Sequence, residues 1–190
     1  RFLVGYPHEG RWHRPNVEVV SLFVDQQEEG DQSKERAETH GFQIYPTIAE
    51  ALRQGGDSLA VDAVLLIGEH GDYPRNDKGQ ILYPRYAFFK EVVEVFKEDG
   101  RAVPVFNDKH LSFRFDHAQE MVKLSEQLGF PFMAGSSLPV TFRLPSVELP
   151  YERPIRDALM VGVGSSDPMD FHALEALHSL IDRRQGGETG

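Results

Sequence analysis

Val61-Asp62-Ala63-Val64-Leu65-Leu66-Ile67, followed at once by Gly68-Glu69-His70-Gly71-Asp72, decides how this chain reads. Seven residues, apolar but for Asp62 and ending Val-Leu-Leu-Ile, are too few for a helix of average length. They have the look of a strand buried on both faces, as in parallel sheets. The polar, glycine-bearing residues after them are what such a strand delivers at its carboxyl end. Working outward, the same alternation repeats. Val17–Val24 (VEVVSLFV) is a β-branched strand closed by Asp25, and Asp31–His40 is a short polar helix stopped by Gly41. Phe42–Tyr45 is a short extended piece. Thr47 can cap a helix to Gln54, with Glu50 three residues on reaching back to its amide.

Beyond Ile67 a long polar loop spans Gly68–Tyr83, and its length makes it a candidate lid. Pro84 suits the first position of a helix whose Phe89, Val92, Val93 and Phe96 fall on one stripe before Gly100. Arg75, Asp77, Lys78 and Arg85 read as a solvated mixed-charge surface. Ala102–Phe106 is the next strand, and Asp116–Leu128 the next helix, with Ala118, Met121 and Val122 facing inward. Phe130–Ala134 is a strand again. Residues 138–156, with four prolines between Leu138 and Pro154, read as an irregular connection. Ala158–Val163 (ALMVGV) is a further strand. Met169–Ile181 is a helix with Leu174, Leu177 and Ile181 on one face, and 184–190 is a frayed tail.

Strands alternating with helices of this length predict an α/β fold: a doubly wound, mostly parallel, Rossmann-like sheet flanked by helices. One domain covers residues 1–190, with 1–16 as an N-terminal segment packing on the sheet. Length agrees with one full-sized core. The 20 Lys+Arg against 30 Asp+Glu leave a formal charge of −10, which repels phosphate backbones and anionic lipid. Nucleic acid and membrane are therefore not expected as partners, and no apolar run is long enough to span a bilayer. With no cysteine, disulfides and thiolate chemistry are excluded, but the compartment stays open. The chain opens at Arg1 without a signal-like segment, and its first clear strand behaves as a second one. A preceding unit is expected upstream.

In a parallel sheet, ligands sit outside the carboxyl ends of the strands. Those ends carry Asp25-Gln26, Gly68-Glu69-His70-Gly71-Asp72, Asn107-Asp108-Lys109-His110, Gly135-Ser136-Ser137, and Gly164 through Asp167, Asp170 and His172. Asp25, closing its strand, can accept hydrogen bonds from ribose hydroxyls and would repel a 2′-phosphate. No G-x-G-x-x-G precedes it, and Gly162-Val163-Gly164 lacks the third glycine. Two other chemistries stay open. His70, Asp108, His110 and His172 could join as a divalent metal site, although no recognised ligand spacing is present. Alternatively, the chain is a non-catalytic ligand-binding or interaction module, possible also as a homo-oligomer.

Several segments together resemble the nucleotide-binding domain of the Gfo/Idh/MocA oxidoreductases, the glucose–fructose oxidoreductase and inositol dehydrogenase family. They are Val19–Asp25, Ala37–Leu52 (AETHGFQIYPTIAEAL), Val61–Ile67, Val103–Ser112 (VPVFNDKHLS), the helix 116–128 with its following strand, and Asp170–Glu175 (DFHALE). Lys109 matches the lysine of the family's Glu-Lys-Pro signature, here Asp108-Lys109-His110, and Pro168 stands where the family's acid precedes its histidine. The resemblance implies NAD as cofactor, bound near Asp25, Glu69, His70 and Asp108, and a sugar or polyol as substrate. It implies that Lys109 polarises the reacting oxygen. His172 exchanges the proton, assisted by Asp167 or Asp170.

Overall fold

The computed structural model describes residues 3–141, 143–164 and 168–187. Strand β1 (Tyr6–His8) and strand β2 (Arg11–His13) form an antiparallel hairpin, across whose base Trp12 Nε1 donates to the Val4 carbonyl at 3.0 Å. Strand β3 (Ser21–Phe23), helix α1 (Ser33–His40) and strand β4 (Gln43–Tyr45) come next, with β3 and β4 parallel. Helix α2 (Ile48–Arg53) leads to strand β5 (Val64–Leu66), helix α3 (Arg85–Glu98), strand β6 (Val105–Asp108), helix α4 (Phe115–Leu128) and strand β7 (Phe132–Gly135). These three strands make a second parallel sheet in the order β5-β6-β7. After a short 3-10 turn at Leu138–Val140 comes helix α5 (Pro168–Ile181). The class is thus mixed α/β with parallel pairing, in two small sheets rather than one continuous sheet.

Local chemistry explains the boundaries. Gly41 and Gly129 close α1 and α4 in the left-handed conformation that glycine adopts without strain. Thr47 caps α2, its hydroxyl oxygen accepting from the Glu50 amide at 3.1 Å. The return half of the expected box is different: the Thr47 hydroxyl donates to the Glu50 carboxylate at 3.1 Å. At the other end of α2, Arg53 reaches Asp99 with two bonds, at 2.6 and 3.0 Å, and Glu98 with one at 2.8 Å. This fastens α2 to the end of α3.

The core lies between the β5-β6-β7 sheet and helices α2, α3 and α4. Phe89, Val93 and Met121 are fully buried in it, with Phe96, Val92 and Val105 almost so. Phe89, Phe96, Phe130 and Phe132 form one aromatic cluster, with ring centroids 5.0–6.4 Å apart.

Four expectations change. The β5 strand is buried on one face only: Leu66 is 5% exposed, whereas Leu65 and Ile67 are 46% and 57% exposed. Leu65, Phe106 and Met133 stand in one row across the sheet, and no described element covers it. Val122 on α4 and Leu174 on α5 are exposed; the buried residues of α4 are Met121 and Ser125. Ala158–Val163 forms no strand, for its backbone has no pairing neighbour, and Leu159, Val161 and Val163 stay exposed. Arg85, expected as a surface charge, is one of the most deeply buried side chains.

Candidate functional site

Glu69, just past β5, is the centre of the best-built polar cluster. Its Oε2 forms an ion pair with Lys109 Nζ and lies 3.4 Å from Arg85 Nη2. Lys109 Nζ also donates to Asp108 Oδ2 at 2.7 Å. Arg85 Nη1 lies 3.0 Å from His110 Nε2, and the guanidinium sits 5.0 Å above the Tyr83 ring. Since arginine only donates, Nε2 of His110 is the acceptor in that contact. Gly68 is what lets Arg85 come so close: a Cβ there would lie 2.8 Å from Arg85 Cγ and 3.3 Å from its backbone.

Lys109 is aimed by its backbone. It adopts φ 65, in the left-handed region, and its amide bonds to the Gly135 carbonyl at 2.9 Å. Buried Asn107 staples the turn by donating from Nδ2 to the carbonyls of Asp108 (3.3 Å) and His110 (3.1 Å). Its Oδ1 is buried and has no hydrogen-bond partner among the described residues. Burial pushes the Lys109 ammonium down, but the bonds to Asp108 and Glu69 outweigh it and hold the group above the usual lysine range. Lys109 is therefore a fixed cation and a donor, not a base.

Two cavities meet at this cluster, each of about 540 Å³. The first runs between β3 and β5, with Asp25, Glu69 and His70 at its carboxyl-end mouth. Asp25 Oδ2 accepts from the Tyr73 hydroxyl at 2.8 Å, and burial together with that carboxylate pushes the Tyr73 phenol well above its ordinary range. Gln26 joins the same mouth, its Oε1 accepting from the Asp72 amide at 2.8 Å. His70, at φ 73, is exposed there. The second cavity is lined by Lys109, His110, Gly135, Phe171 and Glu175.

Beside it, Glu175 is held by Ser136. Its Oε1 accepts from the Ser136 amide at 2.8 Å, and its Oε2 accepts from the Ser136 hydroxyl. The same Oε2 faces His172 Nδ1 at 3.4 Å, while Phe171 links His172 to His110 by ring contacts of 5.7 and 5.4 Å. The carboxylate beside His172 is thus Glu175, one helical turn on. Asp170, two residues before it, falls on another side of α5 and is exposed. Asp167 lies outside the described residues.

The structure therefore brings Glu69, Asp108, Lys109 and His110 together and sets Asp25 and His70 around the adjoining cavity. His172 stands behind Glu175. Among the described residues, no three His, Asp or Glu side chains converge as a metal-binding set. Of the four residues considered for one, His110 engages Arg85, Asp108 engages Lys109, His172 engages Glu175, and His70 stands at the other cavity. The sequence named Asn107 and Ser136 at strand ends and Glu175 within Asp170–Glu175 without giving them these roles, and it missed Arg85 and Tyr73 as site residues. Only Arg85 left a signal: it sits four residues before Phe89, on the same stripe.

No helix among the described residues is long and apolar enough to cross a membrane. No protein-family model matches the chain, and no curated protein matches it significantly. Among solved structures it is similar to "the putative dehydrogenase from Bordetella bronchiseptica RB50", at 19% identity and a TM-score of 0.46. The match covers 67% of this chain but 28% of that one, a likeness too distant to speak for activity.

Proposed function

We propose that the chain is the nucleotide-binding part of a Gfo/Idh/MocA-like oxidoreductase with a Rossmann-like sheet, acting on a sugar or polyol. One observation carries this reading. Lys109 is clamped by Glu69 and Asp108 where a cavity headed by a strand-end aspartate meets a second cavity bordered by Glu175.

The first cavity suits NAD: Asp25 follows the carboxyl end of β3, and its Oδ1 carries no hydrogen bond among the described residues. Asp25 would hold ribose hydroxyls, with Glu69 and His70 alongside. When bound, NAD supplies the hydride acceptor. The remaining chemistry belongs to the chain. Lys109, charged throughout the working pH range, donates to the substrate oxygen and stabilises negative charge as it develops there. His172 takes up the hydroxyl proton, and Glu175, pinned by Ser136, holds Nδ1 so that Nε2 is the accepting atom. Phe171 and Phe113 keep part of the second cavity apolar.

Calorimetric titration of the full-length protein with NAD and NADP tests the reading. Saturable binding of NAD over NADP, weakened at least tenfold by Asp25→Ala, or about 1.4 kcal/mol, is the expected result. Equal binding to wild type and variant, or none, favours a non-catalytic module instead.

A further inference from the structure

Most polar groups around the second cavity already serve each other. The Lys109 ammonium has three N–H bonds, of which Glu69 and Asp108 take two, leaving one among the described residues. Both oxygens of Glu175 accept from Ser136, and Oε2 also faces His172. The Arg114 guanidinium is held by two bonds to Asp116. Ser112 Oγ accepts from the Arg114 amide at 3.2 Å and faces His117 Nδ1 at 3.4 Å, which gives its single proton a partner. His110 Nε2 accepts from Arg85, and Gln80 Oε1 accepts from Asn76 at 2.9 Å.

The rest of the wall is hydrocarbon. Leu111, Phe113 and Phe115 alternate along the segment that enters α4, and Phe171 of α5 borders the same cavity. Phe115 is 77% exposed, so its ring adds little to the core and stands at the cavity instead. A volume of about 540 Å³ holds a monosaccharide. A hexose, however, carries a hydroxyl on almost every carbon. Against this wall several of them would lie without partners, and each buried hydroxyl left so weakens binding.

We infer that the substrate of this site is a 6-deoxyhexose. Its methyl group and the adjoining C–H edge lie on Leu111, Phe113, Phe115 and Phe171, while a ring hydroxyl reaches the remaining N–H of Lys109. The inference rests on the sugar reading of the site and narrows it. A 6-deoxyhexose differs from its parent hexose only in carrying CH3 where the parent has CH2OH. The wall selects by refusing a hydroxyl that it cannot bond. Apolar pockets reject an added hydroxyl by about a hundredfold at most, and water reaching the rim at Phe115 reduces that.

Matched pairs of sugars test this. D-fucose against D-galactose, L-fucose against L-galactose, L-rhamnose against L-mannose and D-quinovose against D-glucose each differ by that one hydroxyl. They are titrated calorimetrically into the full-length protein, with NAD present and absent. At least one 6-deoxy sugar should bind at least about tenfold more tightly than its parent. Phe115→Ser, at an exposed position, should bring that pair to within about threefold by weakening the deoxy sugar alone, with the circular dichroism unchanged. Equal affinities within every pair, or tighter binding of the parents, overturn the inference and leave the sugar reading standing. A preference untouched by both Phe115→Ser and Phe171→Ser puts the methyl group elsewhere and overturns it too. Absence of binding by all eight sugars overturns the inference together with the sugar reading.

Discussion

Replacing Glu69 by glutamine keeps its shape and removes its charge, and the structure says which neighbour suffers. Glu69 is 10% exposed at its side chain, Lys109 20% and Arg85 1%. Lys109 keeps Asp108 and some water. Arg85 keeps His110 and the Tyr83 ring but loses the Glu69 charge beside its buried guanidinium. Breaking a fully buried pair destabilises by about 3–5 kcal/mol. The Arg85–Glu69 contact is long at 3.4 Å, and a glutamine oxygen still accepts there. The expected loss is therefore smaller, about 2–3 kcal/mol, or a fall in Tm of roughly 5–10 °C for a domain of this size. Urea unfolding followed by circular dichroism, at constant m, measures it. The paired variant Glu69→Leu with Arg85→Met removes both charges and should recover most of that stability, as apolar replacements of buried ion pairs do. A Glu69→Gln protein within about 0.5 kcal/mol of wild type would refute the reasoning. So would a double variant whose loss equals the sum of the two single losses.

Single contacts set the other expectations. Phe89→Ala empties the centre of the aromatic cluster and should lower stability by about 3–5 kcal/mol, read from the same urea curves. Gly68→Ala drives a methyl into Arg85 and should cost about 1–3 kcal/mol; an unchanged midpoint would show that the arginine simply moves aside. Arg53 holds the Asp99 carboxyl below its usual range. A depressed carboxylate lends stability that is complete above the unfolded value, about pH 4, and drains away as pH falls through the lower folded value. Asp99→Asn should therefore flatten the acid limb of stability against pH; coincident limbs would exclude that origin. For Lys109 the sign reverses: its raised value lends stability below the ordinary lysine range that is lost as pH climbs past it. Lys109→Met should thus differ from wild type least at strongly alkaline pH, a trend that urea midpoints taken across pH would check.

Local rules carried the reading of the elements well. The strand–helix alternation as far as β7, the caps at Thr47, Gly41 and Gly129, and the stripe of α3 all depend on neighbours within a few residues, and these stand where their patterns put them. What local pattern cannot contain is pairing. Val64–Leu66 and Ala158–Val163 look alike as apolar runs, yet only the first has a neighbouring strand to bond with. Leu65 and Ile67 are apolar in sequence and so expected inside, but burial depends on what lies over them. The site shows the same division. Strand-end position found Glu69, Asp108, Lys109 and His110, while Glu175 and Ser136 met only through contacts 39 residues apart in the chain. Arg85 reads as a surface residue only while its charge is weighed above its place on the stripe.

Lys109 sits in a backbone conformation that an L-residue occupies at a penalty of about 1–2 kcal/mol. A glycine at that turn would relieve the strain and let the Asn107 staple and the Gly135 bond persist. Stability alone would therefore favour losing this side chain. A lineage drifting under selection for folding only should replace it early, and retention of a lysine at that turn among diverged descendants would be a record of use. The twist of one peptide unit thus makes the ammonium a gauge of whether the site is still at work.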